Sequence, residues 1–259
     1  DYAVHSIAVQ SDGKNLIGGG FDSVDGTDRP GLARLNSDGS LDGSFVPGIQ
    51  NSTQVQSIVV QPDGKLLVGG ELGTPIHSGL ARLNADGSLD GSFQVDGEAL
   101  NVRCIVLRAD NKIFIAGNFI RIGTYTNCIA LLNADGTRDI SFNPDYALWP
   151  NPGTLGASSI NVQADGRILV TGTYYLGSGN YIQGIYRLHA DGSVDNTFDL
   201  NPGGSGIGSI VLQPDGKVLV IHTLGSLKGV VRPYLARLFS DYASPSLGIA
   251  RTNGFVTIS

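Results

Sequence analysis

The chain contains no methionine, one tryptophan and only two cysteines in 259 residues. Two cysteines are too few for a disulfide scaffold, and Cys104 and Cys128 have none of the Cys-x-x-Cys spacings of a zinc site. Charge is also sparse, at 15% of residues, with 17 basic against 23 acidic side chains and a net charge of −6. So few dispersed lysines and arginines make no phosphate-binding patch, so no nucleic-acid partner is expected. No run of 18 apolar residues occurs, which removes any expectation of membrane insertion by a helix. No helical period and no signal peptide are visible. The start at Asp1 and the lack of methionine lead to the expectation of a piece processed or excised from a longer precursor.

Glycine is abundant instead, at 37 residues, beside 11 prolines and 41% hydrophobic residues. That mixture favours many short strands separated by turns around a sizeable core. One phrase returns five times: AVQSDGKNLIGG at 8, VVQPDGKLLVGG at 59, VLRADNKIFIAG at 106, NVQADGRILVTG at 161 and VLQPDGKVLVIH at 211. Aligned on Asp12, Asp63, Asp110, Asp165 and Asp215, the copies lie 51, 47, 55 and 50 residues apart. A second phrase follows each copy: LARLNSDGSLDGSF at 32, LARLNADGSLDGSF at 80, IALLNADGTRDISF at 129, IYRLHADGSVDNTF at 185 and the eroded LARLFSDYASPSL at 235. A period near fifty belongs to propellers and solenoids.

Each unit resolves into four expected strands: a (SIAVQ and its relatives), b after the lysine or arginine, c (LARLN) and d (SLDGSF). Asp-Gly pairs, or Asp-Asn in the third unit, predict two-residue hairpin turns with both central residues at positive φ. A lone four-stranded meander cannot bury both faces, so five must stack. The fold expected is all-β, a β-propeller of five four-stranded antiparallel blades, with repeats near 4–50, 51–97, 98–152, 153–202 and 203–245. Phe45, Phe93, Phe142 and Phe198 would fill the space between blades. The fifth unit lacks this Phe, and its outer strand would come from residues 1–4 or from GFVTIS at 254–259; residues 246–259 are either this closing strand or the start of a further module.

The pairing of VQPDGKLLVGG with LARLNADGSLDGSF resembles the delta-60 repeat, and the resemblance runs from about residue 4 to 241. It implies a propeller in a large secreted or surface-associated bacterial protein. The family brings no assigned catalytic site, so no residue role is transferred from it.

In such a blade the a–b and c–d turns share one face and the b–c and d–a connections share the other. The first set is short and repetitive here, while the second varies, and a rigid frame carrying variable loops is where binding concentrates. Candidate ligand-binding residues on that face are Glu71, Asn118, Arg121, Tyr125, Tyr146, Trp149, Tyr175 and His222. Trp149, held between prolines in LWPNP, suits a stacked sugar or serves as an apolar lid, the plainer reading. Position 71 belongs to a series of residues ending strand b (Gly20, Glu71, Asn118, Thr173, Thr223) that diverges inside an otherwise strict repeat, through drift or through use.

Asp22, Asp25 and Asp28 invite a calcium reading, but their spacing does not fit the Asp-x-Asp-x-Asp-Gly loop, and a solvated acidic loop fits better. Asp42, Asp90 and Asp195 recur opposite Arg34, Arg82 and Arg187, which predicts a repeated ion pair between strands c and d. Strand a offers no carboxylate in any copy, and the four histidines share no spacing, so catalysis, metal and cofactor are not expected. The two thiols fall on strands a and c of one blade, ~10 Å apart, and are expected to be free and buried. The function expected is a secreted, non-catalytic module that recognises an extracellular glycan or protein. The alternative is a unit that assembles with copies of itself through an open blade edge; a polysaccharide-active enzyme ranks below both.

Overall fold

The computed structural model describes residues 3–49, 54–73, 78–95, 97–99, 101–122, 125–144, 156–177, 180–198, 207–222, 226–227, 230–231, 234–238, 249–252 and 255–258. Among them every regular element is a β-strand. The repeats give three-stranded antiparallel sheets of order a-b-c: Val4–Val9, Asn15–Gly19 and Leu32–Leu35; Gln54–Val60, Leu66–Gly73 and Ser78–Leu83; Val102–Leu107, Ile113–Ile122 and Tyr125–Leu132; Ala157–Val162, Ile168–Gly177 and Asn180–Leu188; Ile207–Leu212, Val218–His222 and Leu235–Leu238. They lie in two compact parts, Asp1–Ile140 with Pro152–Thr154, and Ser141–Asn151 with Leu155–Ser259. Val4 opens strand a of the first repeat, and Phe255–Ile258, within the GFVTIS segment, pairs with Ile249–Thr252.

The segment expected as strand d makes a single bridge to strand c in four repeats, Leu35 to Leu41, Leu83 to Leu89, Leu132 to Arg138 and Leu188 to Val194. The next residue explains why it goes no further as a strand. Asp42 Oδ1 accepts hydrogen bonds from Ser44 N (3.0 Å) and Ser44 Oγ (2.6 Å), and its carbonyl accepts from Phe45 N (3.2 Å). These local bonds bend the backbone into a turn.

The Asp-Gly turns also differ from the two-residue form. Gly13 N donates to Gln10 O (3.0 Å) and Gln10 N to Lys14 O (2.8 Å), and in this turn the glycine, rather than Asp12, has positive φ (81°). This is a three-residue hairpin loop, a tight turn followed by a glycine bulge. The aspartate has a separate use, because Asp12 Oδ1 accepts from Lys14 N (3.1 Å). In the third repeat Asn111 takes the bulge position at φ 63°, the non-glycine residue best suited to it.

The expected ion pairs are present: Arg34 Nε to Asp42 Oδ2 at 2.8 Å, Arg82 to Asp90 at 2.8 Å and Arg187 to Asp195 at 2.7 Å. Each aspartate also meets the cation after the a–b turn, Lys14 at 2.7 Å, Lys65 at 2.8 Å and Arg167 at 3.4 Å. The third repeat has Leu131 in place of the arginine, and Lys112 pairs with Asp139 there, at 2.5 Å. The guanidinium groups of Arg34, Arg82 and Arg187 lie 4.7, 4.7 and 4.6 Å from the ring centres of Phe45, Phe93 and Phe198. Arg34 and Arg82 reach on to Ala85 O (2.7 Å) and Ala134 O (2.6 Å) in the following repeat. One arginine thus ties its own c–d turn, its own phenylalanine and the next sheet together.

Burial opposes the charge on Asp195, but hydrogen bonds from Thr197 and Arg187 outweigh it and lower its pKa from the ordinary 3.8 to about 2. Bonds from Lys14 and Ser44 hold Asp42 low, and Asp90 is likewise low, against its burial, through Lys65 and Ser92. Carboxylates with depressed folded pKa values stabilise the fold above their unfolded pKa and lose that contribution as pH falls through the folded one. The melting temperature is therefore expected to change little from neutrality to about pH 4 and to fall steeply between about pH 4 and 2, as thermal melts followed by circular dichroism will read.

Phe45 packs with Leu16, Leu32, Val55 and Ile58, Phe93 with Leu67, Val102 and Ile105, and Phe198 with Leu169, Ile207 and Ile210. These three fill space between successive sheets as expected, and Phe142 is also buried. Successive a strands are linked as well: Ser6 Oγ accepts from Ile58 N (3.1 Å), Ser57 Oγ from Ile105 N (3.2 Å), and Asn161 Nδ2 donates to Ile210 O (3.2 Å). Backbone groups on the free edge of strand a are thereby satisfied by the neighbouring repeat.

A bulge lies near the start of every a–b ladder, after the second residue pair in the second repeat and after the first in the others, and in the third it lies between Val102 and Cys104. It brings a carbonyl against the end of strand b, where a Cβ on Gly117 would sit 1.9 Å from Asn101 O. Backbone on both sides leaves nothing free to yield. Gly117→Ala is expected to destabilise by about 1–3 kcal/mol, while Gly43→Ala, which meets nothing within 4 Å, stays near neutral. Urea denaturation midpoints measure both.

Candidate functional site

Strand b ends where the variable connections begin, and two of the sequence candidates stand there. Glu71 is exposed, near the outer end of Leu66–Gly73, and Asn118 is half-buried, just past the end of the a–b ladder within Ile113–Ile122. Asn101, which precedes strand a of the third repeat, joins them. Its Nδ2 donates to Glu71 Oε1 (2.9 Å), and its carbonyl accepts from Asn118 N (3.2 Å). Asn101 itself is 8% exposed, and its Oδ1 is buried without a hydrogen-bond partner.

Gln54 sits opposite Glu71 in the a–b ladder and extends the cluster toward the first repeat. Its amide lies 3.1 Å from His5 Nε2, and its Oε1 accepts from Gln56 Nε2 (2.9 Å). The result is a polar arc across the strand ends of repeats 1 to 3: His5, Gln54, Gln56, Glu71, Asn101 and Asn118. It combines amide donors and acceptors with one carboxylate, a set suited to hydrogen-bonding hydroxyl or peptide groups. Reading strand ends for divergence finds Glu71 and Asn118. It misses Gln54, Gln56 and Asn101, which lie in the d–a connections and strand a, and whose only sequence signal is an amide-rich stretch before the repeated Ser-Ile or Cys-Ile.

The other candidates are placed by their backbones or not at all. Arg121 and Tyr125 lie in Ile113–Ile122 and Tyr125–Leu132, where Arg121 pairs with Thr126 and Tyr125 with Ile122. Tyr175 pairs with Tyr181, and His222 with Ile207 in the second compact part. Tyr146 and Trp149 fall outside the described residues.

The variable connections after strand b in the third and fourth repeats are largely strand rather than loop. Strands b and c continue outward as hairpin arms, and Gly97–Ala99 adds a further strand to the third. Runs such as FIRI and TYYL have the β-branched and aromatic content that favours pairing over irregular loop. In the first repeat a small hairpin of Ser23–Val24 and Thr27–Asp28 carries the acidic run, with Asp25 and Gly26 at φ 49° and 73° in the turn.

The aspartates of the repeat are engaged in ion pairs and turns. Among the described residues no cluster of three metal-binding side chains occurs. Both cysteines are free; Cys128 is buried, its thiol 3.6 Å from Asn118 O, but Cys104 is only half-buried. Strand a is the edge of its sheet, so a side chain there is less enclosed than one on strand c.

Stacked antiparallel units with inter-sheet phenylalanines and a variable outer face define a β-propeller repeat protein. The chain belongs to the family described as the domain of unknown function (DUF5122) beta-propeller, matched over residues 10–45, 61–93, 108–142, 163–198 and 213–241. No curated protein matches the chain. Among solved structures it is similar to PorZ, an essential bacterial surface component of the type-IX secretion system of Porphyromonas gingivalis, with a TM-score of 0.59 and 14% identity over 95% of this chain and 34% of that one. The chain thus spans about a third of the PorZ chain. It is also similar to XC5397, a gluconolactonase of Xanthomonas campestris (TM-score 0.48, 13% identity, 91% of this chain and 71% of that one). A third similarity is to a GH43 endo-arabinanase from Bacillus licheniformis (TM-score 0.42, 13% identity, 91% and 93%). At these identities the likeness is one of fold.

Proposed function

We propose that the chain is a secreted or cell-surface, non-catalytic recognition module that binds an extracellular glycan or protein through the face carrying the polar arc. In this reading its repeats are delta-60 units forming five blades, with the SLDGSF segment outermost as a turn bridged once to strand c. The arc is the observation that carries the proposal. It gathers amides and a single exposed carboxylate beside the variable connections, while the repeated aspartates are committed to ion pairs with neighbouring cations. Among the described residues the arc holds one carboxylate, which suits recognition better than glycoside cleavage, which uses two. The surface role of PorZ is compatible with the location.

Arrays of bacterial surface glycans and extracellular proteins, probed with the chain and with a Glu71→Gln/Gln56→Ala variant, test this. The wild type is expected to retain one ligand class and the variant to bind it about tenfold more weakly, the loss of roughly one good hydrogen bond to a charged group. An array that retains nothing, or a variant that binds equally well, overturns it.

Self-assembly is the second reading, favoured by one observation. Ile7 and Val9 in strand a of the first repeat are 66% and 69% exposed, whereas Ile58, Ile105, Ile160 and Ile210, equivalent to Ile7, are 7% exposed or less. Light scattering separates the readings: the recognition module gives a 27.0 kDa particle, and self-assembly gives a mass that grows with concentration.

A further inference from the structure

In the first two repeats, two kinds of side chain reach across to the repeat that follows. One is a serine on strand a: Ser6 Oγ accepts from Ile58 N (3.1 Å) and Ser57 Oγ from Ile105 N (3.2 Å). The other is an arginine on strand c: Arg34 Nη1 donates to Ala85 O (2.7 Å) and Arg82 Nη1 to Ala134 O (2.6 Å). Both residue types recur in the fourth and fifth repeats, as Ser159 with Arg187 and Ser209 with Arg237. The third repeat has neither. Cys104 stands at the serine position of the a–b ladder, opposite Ala116, and Leu131 at the arginine position of strand c, opposite Phe114.

Each exchange removes a bonding capacity. Leucine has no N–H to donate, and a thiol sulfur is a weaker acceptor than a hydroxyl oxygen. Leu131 is 3% exposed, so it keeps the burial of the position without its polar reach. The turn that receives the arginine in other repeats is retained, with Lys112 on Asp139 and Asp139 N donating to Leu131 O (2.8 Å). The departure is therefore specific to the residues that reach outward.

The chain divides in this same repeat. The boundary between its two compact parts falls between Ile140 and Ser141, within the third c–d turn. In a linear array, stability is roughly the sum of a term for each repeat and a term for each link between neighbours, so a weak link is where cooperativity ends. We propose that the third repeat is a built-in breakpoint: the part ending at Ile140 and the part beginning at Ser141 unfold as separate cooperative units, uncoupled by Cys104 and Leu131. The polar arc, from His5 to Asn118, belongs wholly to the first unit, so opening of the second leaves it in place. The inference requires no ligand and stands or falls separately from the function proposed above.

Urea denaturation of the whole chain, read by pulsed hydrogen exchange and mass spectrometry, gives a midpoint for each peptide and is the test. In the wild type, peptides from residues 1–140 are expected to share one midpoint and those from 155–259 another. The exchange Cys104→Ser/Leu131→Arg is expected to bring the two together. Because an arginine placed in a core can itself unsettle the fold, the reverse exchange Ser57→Cys/Arg82→Leu is the second variant, and it is expected to part the midpoint of residues 4–97 from that of the third repeat. A single midpoint along the whole wild-type chain overturns the proposal. So do two wild-type midpoints with neither exchange acting as expected.

Discussion

Asp90→Ala is expected to destabilise the fold by about 3–5 kcal/mol, the usual consequence of removing one partner of a buried ion pair. Asp90 is 8% exposed and accepts four bonds, from Lys65 Nζ (2.8 Å), Arg82 Nε (2.8 Å), Ser92 N (3.0 Å) and Ser92 Oγ (2.6 Å). Lys65, with 32% of its side chain exposed, can return to solvent. Arg82, at 10%, cannot do so without leaving Phe93 and Ala134 O. The loss is therefore mainly an uncompensated guanidinium, and a second substitution, Arg82→Met, is expected to recover much of it. Urea denaturation of the two variants measures the difference; a loss under about 1 kcal/mol for Asp90→Ala would place the pair with ordinary surface bridges.

Phe93→Ala is expected to cost about 3–5 kcal/mol, combining lost burial with the void left behind. The ring is 1% exposed and packs among Leu67, Leu80, Val102, Ile105 and Ala130 from two successive repeats. It is therefore cut from both sheets at once. Arg82 lies over the same ring, so the Asp90 and Phe93 substitutions share a partner and are expected to combine to less than their sum. Simple addition in the double variant would show that the arginine does not couple them.

Much of this framework is legible in the sequence because the repeat aligns residues that do one job. Arg34, Arg82 and Arg187 recur eight positions before Asp42, Asp90 and Asp195, and the phenylalanine recurs three positions after the aspartate. A fixed offset repeated three times reads as contact. Turn geometry is less legible, since an Asp-Gly pair fits both a two-residue loop and a longer loop with a glycine bulge, and the hydrogen bond accepted by the carbonyl of the residue after the glycine decides between them. The fourth strand is overread for a related reason. SLDGSF alternates like a strand, but Asp42 and Ser44 bond locally and turn it.

The candidate site is legible in part. Glu71 and Asn118 stand out by departing from the repeat, whereas Asn101 and Gln54 join them only through three-dimensional pairing across the bulged a–b ladder.

Hydrogen exchange followed by mass spectrometry, with and without the strongest ligand from the arrays, tests the central claim most directly. The account predicts slowed exchange at the strand ends around residues 54–56, 71, 101 and 118, with the a–b turns at 10–14 and 61–65 unchanged. Protection confined to those turns, or none along the arc, would contradict it.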